Sequence, residues 1–189
     1  MKQNAEEGGR ALWADGYRFR QLAGGLFLVG LVVIARPAGP GFGVGLVLCA
    51  LGEALRLWAA GYVRKSRVLE TRGPYAFVRH PQYLGNTLIA VGLSLAAGRP
   101  WAILVWAGMF WLLYVPAIAR EDAKLRRRFQ EQWDEWGPKT PAVVPFRWPS
   151  GRSGLRVLEW SLPQSVRNGE PLWIGSVAAA LGIIYWGVL

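Results

Sequence analysis

The residues best suited to chemistry fall in one run, Arg72-Gly73-Pro74-Tyr75-Ala76-Phe77-Val78-Arg79-His80-Pro81-Gln82-Tyr83-Leu84-Gly85-Asn86. It gathers guanidinium, imidazole, phenol and amide groups beside two turn formers. Gly73-Pro74 is a turn signal, and Pro81 suits the first turn of a helix, where a missing N–H costs nothing. That places His80 near the N-cap and Gln82, Tyr83 and Asn86 in the opening turn. The N–H groups of such a turn have no partner within the helix, so they offer a seat for a carboxylate. A second cluster, Arg120-Glu121-Asp122, adds acceptors for a cation and a candidate base. Both runs also suit membrane helices with interfacial Tyr, Arg and acids, and the residues alone leave the two readings open. His80 is the only histidine, which excludes multi-histidine metal centres. Cys49 is the only cysteine, which excludes a disulfide framework and a Cys-based metal site.

Apolar helices must position these groups. Of 189 residues, 52% are hydrophobic, yet the formal net charge is +10. The two facts reconcile because charge and apolarity are segregated along the chain. A bilayer span needs about 20 apolar residues, and five stretches qualify, at about 19–36, 42–63, 82–98, 100–119 and 171–189. The expected fold is therefore an all-α integral membrane protein of about five transmembrane helices, a single domain over 1–189. The first stretch is not a cleavable signal, since a second span follows at once. Lys and Arg concentrate before the first span, between the second and third, and from Arg120 to Arg167. By the excess of positive charge on the inner side, the N-terminus is cytoplasmic and the C-terminus outside. The positive charge is thus that of an inner membrane face, and not a nucleic-acid stripe.

The short turn at Gly98-Arg99-Pro100 makes the third and fourth spans antiparallel neighbours. Glu121 then lies at the depth of His80 and Tyr83, and polar groups converging there mark a site. Leu125, Phe129, Trp133 and Trp136 recur three and four apart, which predicts an amphipathic helix from Arg120 to about Gly137 along the inner surface. The Pro-rich tract from Pro138 to Pro149 cannot continue it. Between Gly151 and Glu170, Leu155, Val157, Leu158 and Trp160 suggest a surface helix that closes the site.

Gly73-Pro74-Tyr75, then Arg79-His80-Pro81-Gln82-Tyr83-Leu84-Gly85, then Glu121-Asp122-Ala123-Lys124-Leu125, then Pro141 to Pro145, closely resemble the isoprenylcysteine carboxyl methyltransferase and phospholipid methyltransferase family of membrane enzymes. The resemblance covers about residues 64–149. It implies methyl transfer from S-adenosylmethionine to a lipophilic acceptor, an isoprenylcysteine-like carboxylate or a lipid amine, at the inner leaflet. The cofactor pocket it implies faces the cytoplasm. Carried over one position at a time, the cofactor contacts are Arg67, Val68, Leu69 and Glu70, then Tyr75, then His80, Pro81, Gln82 and Tyr83, then Glu121. An amine or hydroxyl acceptor must lose a proton, and His80 or Glu121 would then serve as base; a carboxylate needs only a cation. The basic residue expected ahead of the Pro-rich tract is Lys139. Where the eukaryotic isoprenylcysteine enzymes carry Arg four residues before the first acid, this chain has Ala117. The family's second acid is usually Glu and here is Asp122. Membrane lipids are the expected surroundings, and the acceptor enters sideways from the bilayer.

Glu53 and Arg56 share a face of the second span and should pair with each other or face a polar cavity. Gly41-Phe42-Gly43-Val44-Gly45 opens a membrane helix, so its glycines serve close helix packing and not a dinucleotide turn. Two other functions fit the chain less closely. One is an NADPH-dependent sterol-type membrane reductase, the other a non-enzymatic membrane lipid-binding protein.

Overall fold

The computed structural model describes residues 2–37, 40–63, 68–146 and 160–187, with side chains from residue 18 onward. Among them there are helices and turns but no strand. The helices are α1 (Lys2–Val33), α2 (Gly41–Tyr62), α3 (Pro81–Ala96), α4 (Ala102–Met109), α5 (Val115–Trp136), α6 (Leu162–Arg167) and α7 (Glu170–Trp186). The surface helix expected between Gly151 and Glu170 falls mostly on 151–159, outside the described residues.

Helices in lipid gain nothing from hydrophobic association with one another, so they are held by close packing of small residues. The pair α2 and α3 shows this directly. A Cβ on Gly92 would lie 2.6 Å from the Gly45 carbonyl oxygen, and one on Gly52 would lie 2.8 Å from that of Gly85. Two glycines seven residues apart on each helix thus let the backbones touch. Around this pair, Leu31 of α1 and Val177, Ala180, Leu181 and Ile184 of α7 complete one buried core with Ile89 and Leu93. At the far end, Gly98 turns with φ +65°, and a Cβ there would meet the Arg36 carbonyl oxygen at 2.1 Å. Only glycine fits. Arg36 N–H donates to the Ala97 carbonyl at 2.8 Å, so the turn after α1 and the turn after α3 are tied together.

The surface is apolar where a soluble protein would be polar. Phe19, Leu22, Leu26, Val29 and Val33 form an exposed stripe on α1, and Leu104, Trp111, Leu112 and Leu172 are each more than 70% exposed. That is the arrangement of helices facing acyl chains. Two helical stretches, Gly41–Tyr62 and Ala102–Lys139, are long and apolar enough to cross a membrane; α7 is apolar but shorter. The expected third span is realised as α3, only 16 residues, or about 24 Å against a hydrocarbon core of roughly 30 Å. Length and apolarity therefore single out two of the five expected crossings.

The chain differs from expectation between α4 and α5. No break separates the fourth span from the amphipathic helix: residues 110–114 form a π-helical turn, and the helix continues to Trp136. Pro116 explains the turn. Its ring removes an N–H and crowds the Leu112 carbonyl, and widening the preceding turn relieves both. The helix is instead kinked at Gln130, whose φ of 38° is the one positive value outside glycine among the described residues.

The pairing of Glu53 with Arg56 is also not what forms. Arg56 is 4% exposed and Glu170, at the start of α7, is 2% exposed. Their charged atoms approach to 3.1 Å. Arg56 also donates to Asn86 Oδ1 and stacks its guanidinium on Trp173, 4.7 Å from the ring centre. The Glu53 carboxylate oxygens are buried and make no hydrogen bond among the described residues. The α6 region then caps α2: Ser165 donates to the Leu57 carbonyl at 3.0 Å and Asn168 to that of Ala60 at 2.8 Å.

Candidate active site

Local sequence fixes the wall of the site. Gly73, with φ +56°, starts a short 3₁₀ turn over Gly73–Ala76, and Pro81 opens α3 with His80 at the N-cap. The Pro-rich tract runs alongside. Arg79 N–H donates to the Pro141 carbonyl at 2.8 Å and His80 N–H to that of Ala142 at 2.9 Å. The Arg79 side chain donates to the carbonyls of Gly137 and Thr140 and lies 5.7 Å from the Trp133 ring centre. One arginine thus ties the start of α3 to the end of α5.

The acid pair of α5 closes on this wall. Arg79 Nη2 and His80 Nε2 both donate to Asp122, each at 2.8 Å. Tyr83 Oη donates to Glu121 Oε1 at 2.6 Å, and His80 Nδ1 lies 3.5 Å from Glu121 Oε2. Arg20, from α1, approaches Glu121 at 3.7 Å. His80 is therefore held between two carboxylates. Burial pulls its imidazole down, but the bonds and charges of Asp122 and Glu121 outweigh that and leave it above its ordinary value. Burial pushes Glu121 up, yet bonds from His80 and Tyr83 and the charges of His80 and Arg20 hold it below the usual carboxylate range. Asp122 is likewise lowered, burial being outweighed by His80 and Arg79. Burial raises the Tyr75 phenol, and the charges of Glu70, Glu121 and Glu170 add to it, so it stays neutral. The group is an imidazole held between two carboxylates, an arrangement that favours its charged form.

Arg20, Tyr75, Arg79, His80, Tyr83 and Glu121, but not Asp122, line a cavity of about 420 Å³, inside the range of roughly 300–1,000 Å³ typical of small-molecule sites. It brings together the expected Val68, Leu69, Glu70, Tyr75, His80, Pro81, Gln82, Tyr83 and Glu121. Arg67 lies outside the described residues. Lys139 is exposed at the end of the turn after α5 and is not part of the lining; Arg120 is exposed too. The cavity adds residues that sequence reasoning did not assign: Arg20, Arg79, Lys124, Leu125, Arg128, Phe129 and Trp136. A signal existed for Lys124, Leu125 and Arg128, which follow Glu121 at three-, four- and seven-residue spacing on one helix face. For Arg20 there was only a cation set just inside an apolar run. Glu70 is engaged with Arg72, at 2.8 Å. Among the described residues no group of His, Cys, Asp and Glu is arranged to hold a metal ion.

Fold and cavity together define a helical membrane protein with a cavity of small-molecule size at one end of its bundle. The central part of the chain, residues 41–132, matches the phospholipid methyltransferase family. Curated relatives agree. The chain is 38% identical over 104 residues to the nickel-cobalt-cadmium resistance protein NccN of Alcaligenes xylosoxydans xylosoxydans, a stretch covering 54% of this chain and 48% of that protein. It is 29% identical over 95 residues to a protein-S-isoprenylcysteine O-methyltransferase of Schizosaccharomyces pombe, covering 50% and 40%. To protein-S-isoprenylcysteine O-methyltransferase B of Arabidopsis thaliana it is 29% identical over 114 residues, covering 54% and 58%. The chain spans about half the length of the curated relatives it matches. No solved structure matches it at a significant level.

Proposed function

We propose that this chain transfers a methyl group from S-adenosylmethionine to a lipophilic carboxylate at the cytoplasmic leaflet, from a five-span bundle with its N-terminus inside. One observation carries the reading: the family-motif residues Tyr75, His80, Gln82, Tyr83 and Glu121 all wall a single cavity. The lining suits the cofactor's parts. Glu121 offers an acceptor for an ammonium, and Gln82, directly behind Pro81, lies in a first turn whose N–H groups suit a carboxylate. Leu69, Leu125, Phe129 and Trp136 supply apolar surface for a flat base.

S-adenosylmethionine, when bound, would supply a methyl group on a sulfonium, whose transfer to a nucleophile is an in-line displacement. The chain's own groups then have to bind, orient and exclude water. The carboxylate acceptor follows from what His80 and Glu121 are doing. Both ring nitrogens of His80 face carboxylates, so the imidazole has no lone pair to take a proton. Glu121 is engaged by Tyr83 and lowered, which makes it a poor base. An acceptor already anionic needs no base, and Arg20, Lys124 and Arg128 line the cavity to receive its charge.

The test is transfer of labelled methyl from S-adenosylmethionine to two acceptors in bilayer nanodiscs, a prenylcysteine carboxylate analogue and phosphatidylethanolamine. The expected product is a base-labile methyl ester of the first. Label on the amine alone overturns the carboxylate assignment, and label on neither, with no cofactor binding, overturns the methyltransferase reading.

A further inference from the structure

Three unfavourable features meet where α5 ends. Gln130 takes a φ of 38°, a region that a residue with a Cβ seldom occupies and that only surrounding contacts can hold. Beyond it, Trp136 Nε1 is buried and makes no hydrogen bond among the described residues, and the same holds for Arg79 Nε on the facing wall. A buried donor without an acceptor costs free energy. All three costs fall on the segment 131–140 and on the residue that faces it. The far end of that segment is anchored, since Arg79 and His80 donate their backbone N–H groups to the carbonyls of Pro141 and Ala142. Between kink and anchor, Glu131, Gln132, Asp134 and Glu135 are exposed, while Trp133 and Trp136 turn inward. The Arg79 side chain holds this stretch in place through the carbonyls of Gly137 and Thr140 and the face of Trp133. The side-chain pair across the kink, Arg126 with Asp134, is exposed and adds little.

We infer that residues 131–140 form a lid over the cavity, hinged at Gln130 and latched by the Arg79 guanidinium. The kink falls where a hinge must: Leu125, Arg128 and Phe129 line the cavity before it, and Trp136 lines it after. Swinging the segment outward withdraws the Trp136 wall, gives the indole N–H to water and lets Gln130 relax to a helical φ. Closing reverses these gains, and the bonds of Arg79 offset them. The closed and open positions then lie close in free energy, which is what a ligand needs in order to shift the balance between them. Arg79 also donates to Asp122 at 2.8 Å, so the latch and the clamp on His80 share one guanidinium. The inference rests on the proposed methyltransferase reading only in taking S-adenosylmethionine as the ligand admitted; hinge and latch rest on the geometry.

The experiment is amide hydrogen exchange, read by mass spectrometry, on the full chain in nanodiscs, because exchange of a locally opening segment follows its opening equilibrium. Without ligand, Arg79→Met should speed exchange across 131–140 by about tenfold, the equivalent of losing charge-assisted bonds, and leave α2 and α3 at wild-type rates. Arg79→Lys, which keeps a donor for one carbonyl, should restore part of the protection. Gln130→Gly removes the strain of the closed form and should slow exchange in the same segment by about fivefold, as release of backbone strain implies. A lid gives opposite signs for the two substitutions, whereas a segment that only stabilises the fold loosens with both. Saturating S-adenosylmethionine should slow exchange in 131–140 more than in α2. Unchanged exchange there in Arg79→Met, an equal rise in α2 and α3, or faster exchange in Gln130→Gly overturns the lid. So does unchanged exchange while calorimetry shows the cofactor bound. Absence of cofactor binding counts against the methyltransferase reading, and the ligand-free variants then decide the lid by themselves.

Discussion

Replacing Asp122 by Asn tests the reasoning about the site most sharply, because it changes charge and almost nothing else. Asp122 accepts two bonds of 2.8 Å, one from Arg79 and one from His80. An amide keeps one acceptor oxygen and turns its other end, now a donor, toward a second donor. The loss is therefore about one charge-assisted bond, roughly 1.5–3 kcal/mol. For a chain of this size each kcal/mol lowers the melting temperature by roughly 2–4 °C, so the expected drop is about 3–12 °C. Thermal unfolding in mild detergent, followed by Trp fluorescence, reads it. A second readout separates this clamp from mere packing. Without Asp122 the His80 imidazole loses a partner that holds it up, so its titration, followed by NMR of the ring, should fall toward the ordinary 6.5. Asp122→Glu keeps the charge and should restore both quantities in large part. An Asn variant as stable as wild type, with His80 titrating where it did, would refute the assignment of Asp122 as the residue that positions His80.

Other outcomes follow from the same structure. Arg56→Met leaves Glu170 buried without its cation and should cost about 3–5 kcal/mol, whereas Arg56→Met with Glu170→Leu should cost far less; chemical unfolding in mixed micelles measures both. Gly92→Val forces side-chain atoms against the Gly45 carbonyl and should destabilise by at least the roughly 1–3 kcal/mol of an overpacked core, while Gly175→Ala, with open space around its Cβ, should be neutral. Stability should depend on pH through His80: its contribution is full below 6.5 and is lost as pH rises through the raised folded value. The contributions of Glu121 and Asp122 are present above 4.5 and 3.8 and are lost as pH falls through their lowered values. His80→Gln should flatten the alkaline limb of a melting-temperature profile and leave an acid limb. Lys139→Ala, outside the cavity, should leave cofactor affinity unchanged, and Arg20→Gln, in its lining, should weaken it; calorimetry compares the two.

Where the chain's local chemistry decides structure, the sequence was legible. Pro81 set the start of α3 and His80 its N-cap, the apolar runs gave α2 and α7 nearly to the residue, and the short turn at Gly98 brought Glu121 beside His80 and Tyr83. What escaped depends on contacts remote in the chain. Arg56 sits three residues from Glu53, yet it is Glu170, 114 residues away, that reaches its guanidinium once α7 docks. Arg20 enters the cavity only because α1 packs beside α3, which no periodicity announces. The π turn at 110–114 escaped for a different reason: it lies inside the stretch expected as one span, 100–119, and leaves no mark in the sequence. Tyr75, His80, Gln82 and Tyr83 were visible as a group because they are close in sequence, while the apolar half of the lining, Phe129 and Trp136, looked like the face of a surface helix.

The central claim is that this cavity holds S-adenosylmethionine. Isothermal calorimetry on the detergent-purified chain, with NADPH in parallel and Glu121→Gln as the variant, tests it most directly. The account predicts micromolar binding of S-adenosylmethionine alone, weakened at least tenfold by the substitution, since removing a charged hydrogen-bond partner costs roughly 1.5–3 kcal/mol. Binding of NADPH and not of S-adenosylmethionine, or wild-type affinity in Glu121→Gln, would contradict it.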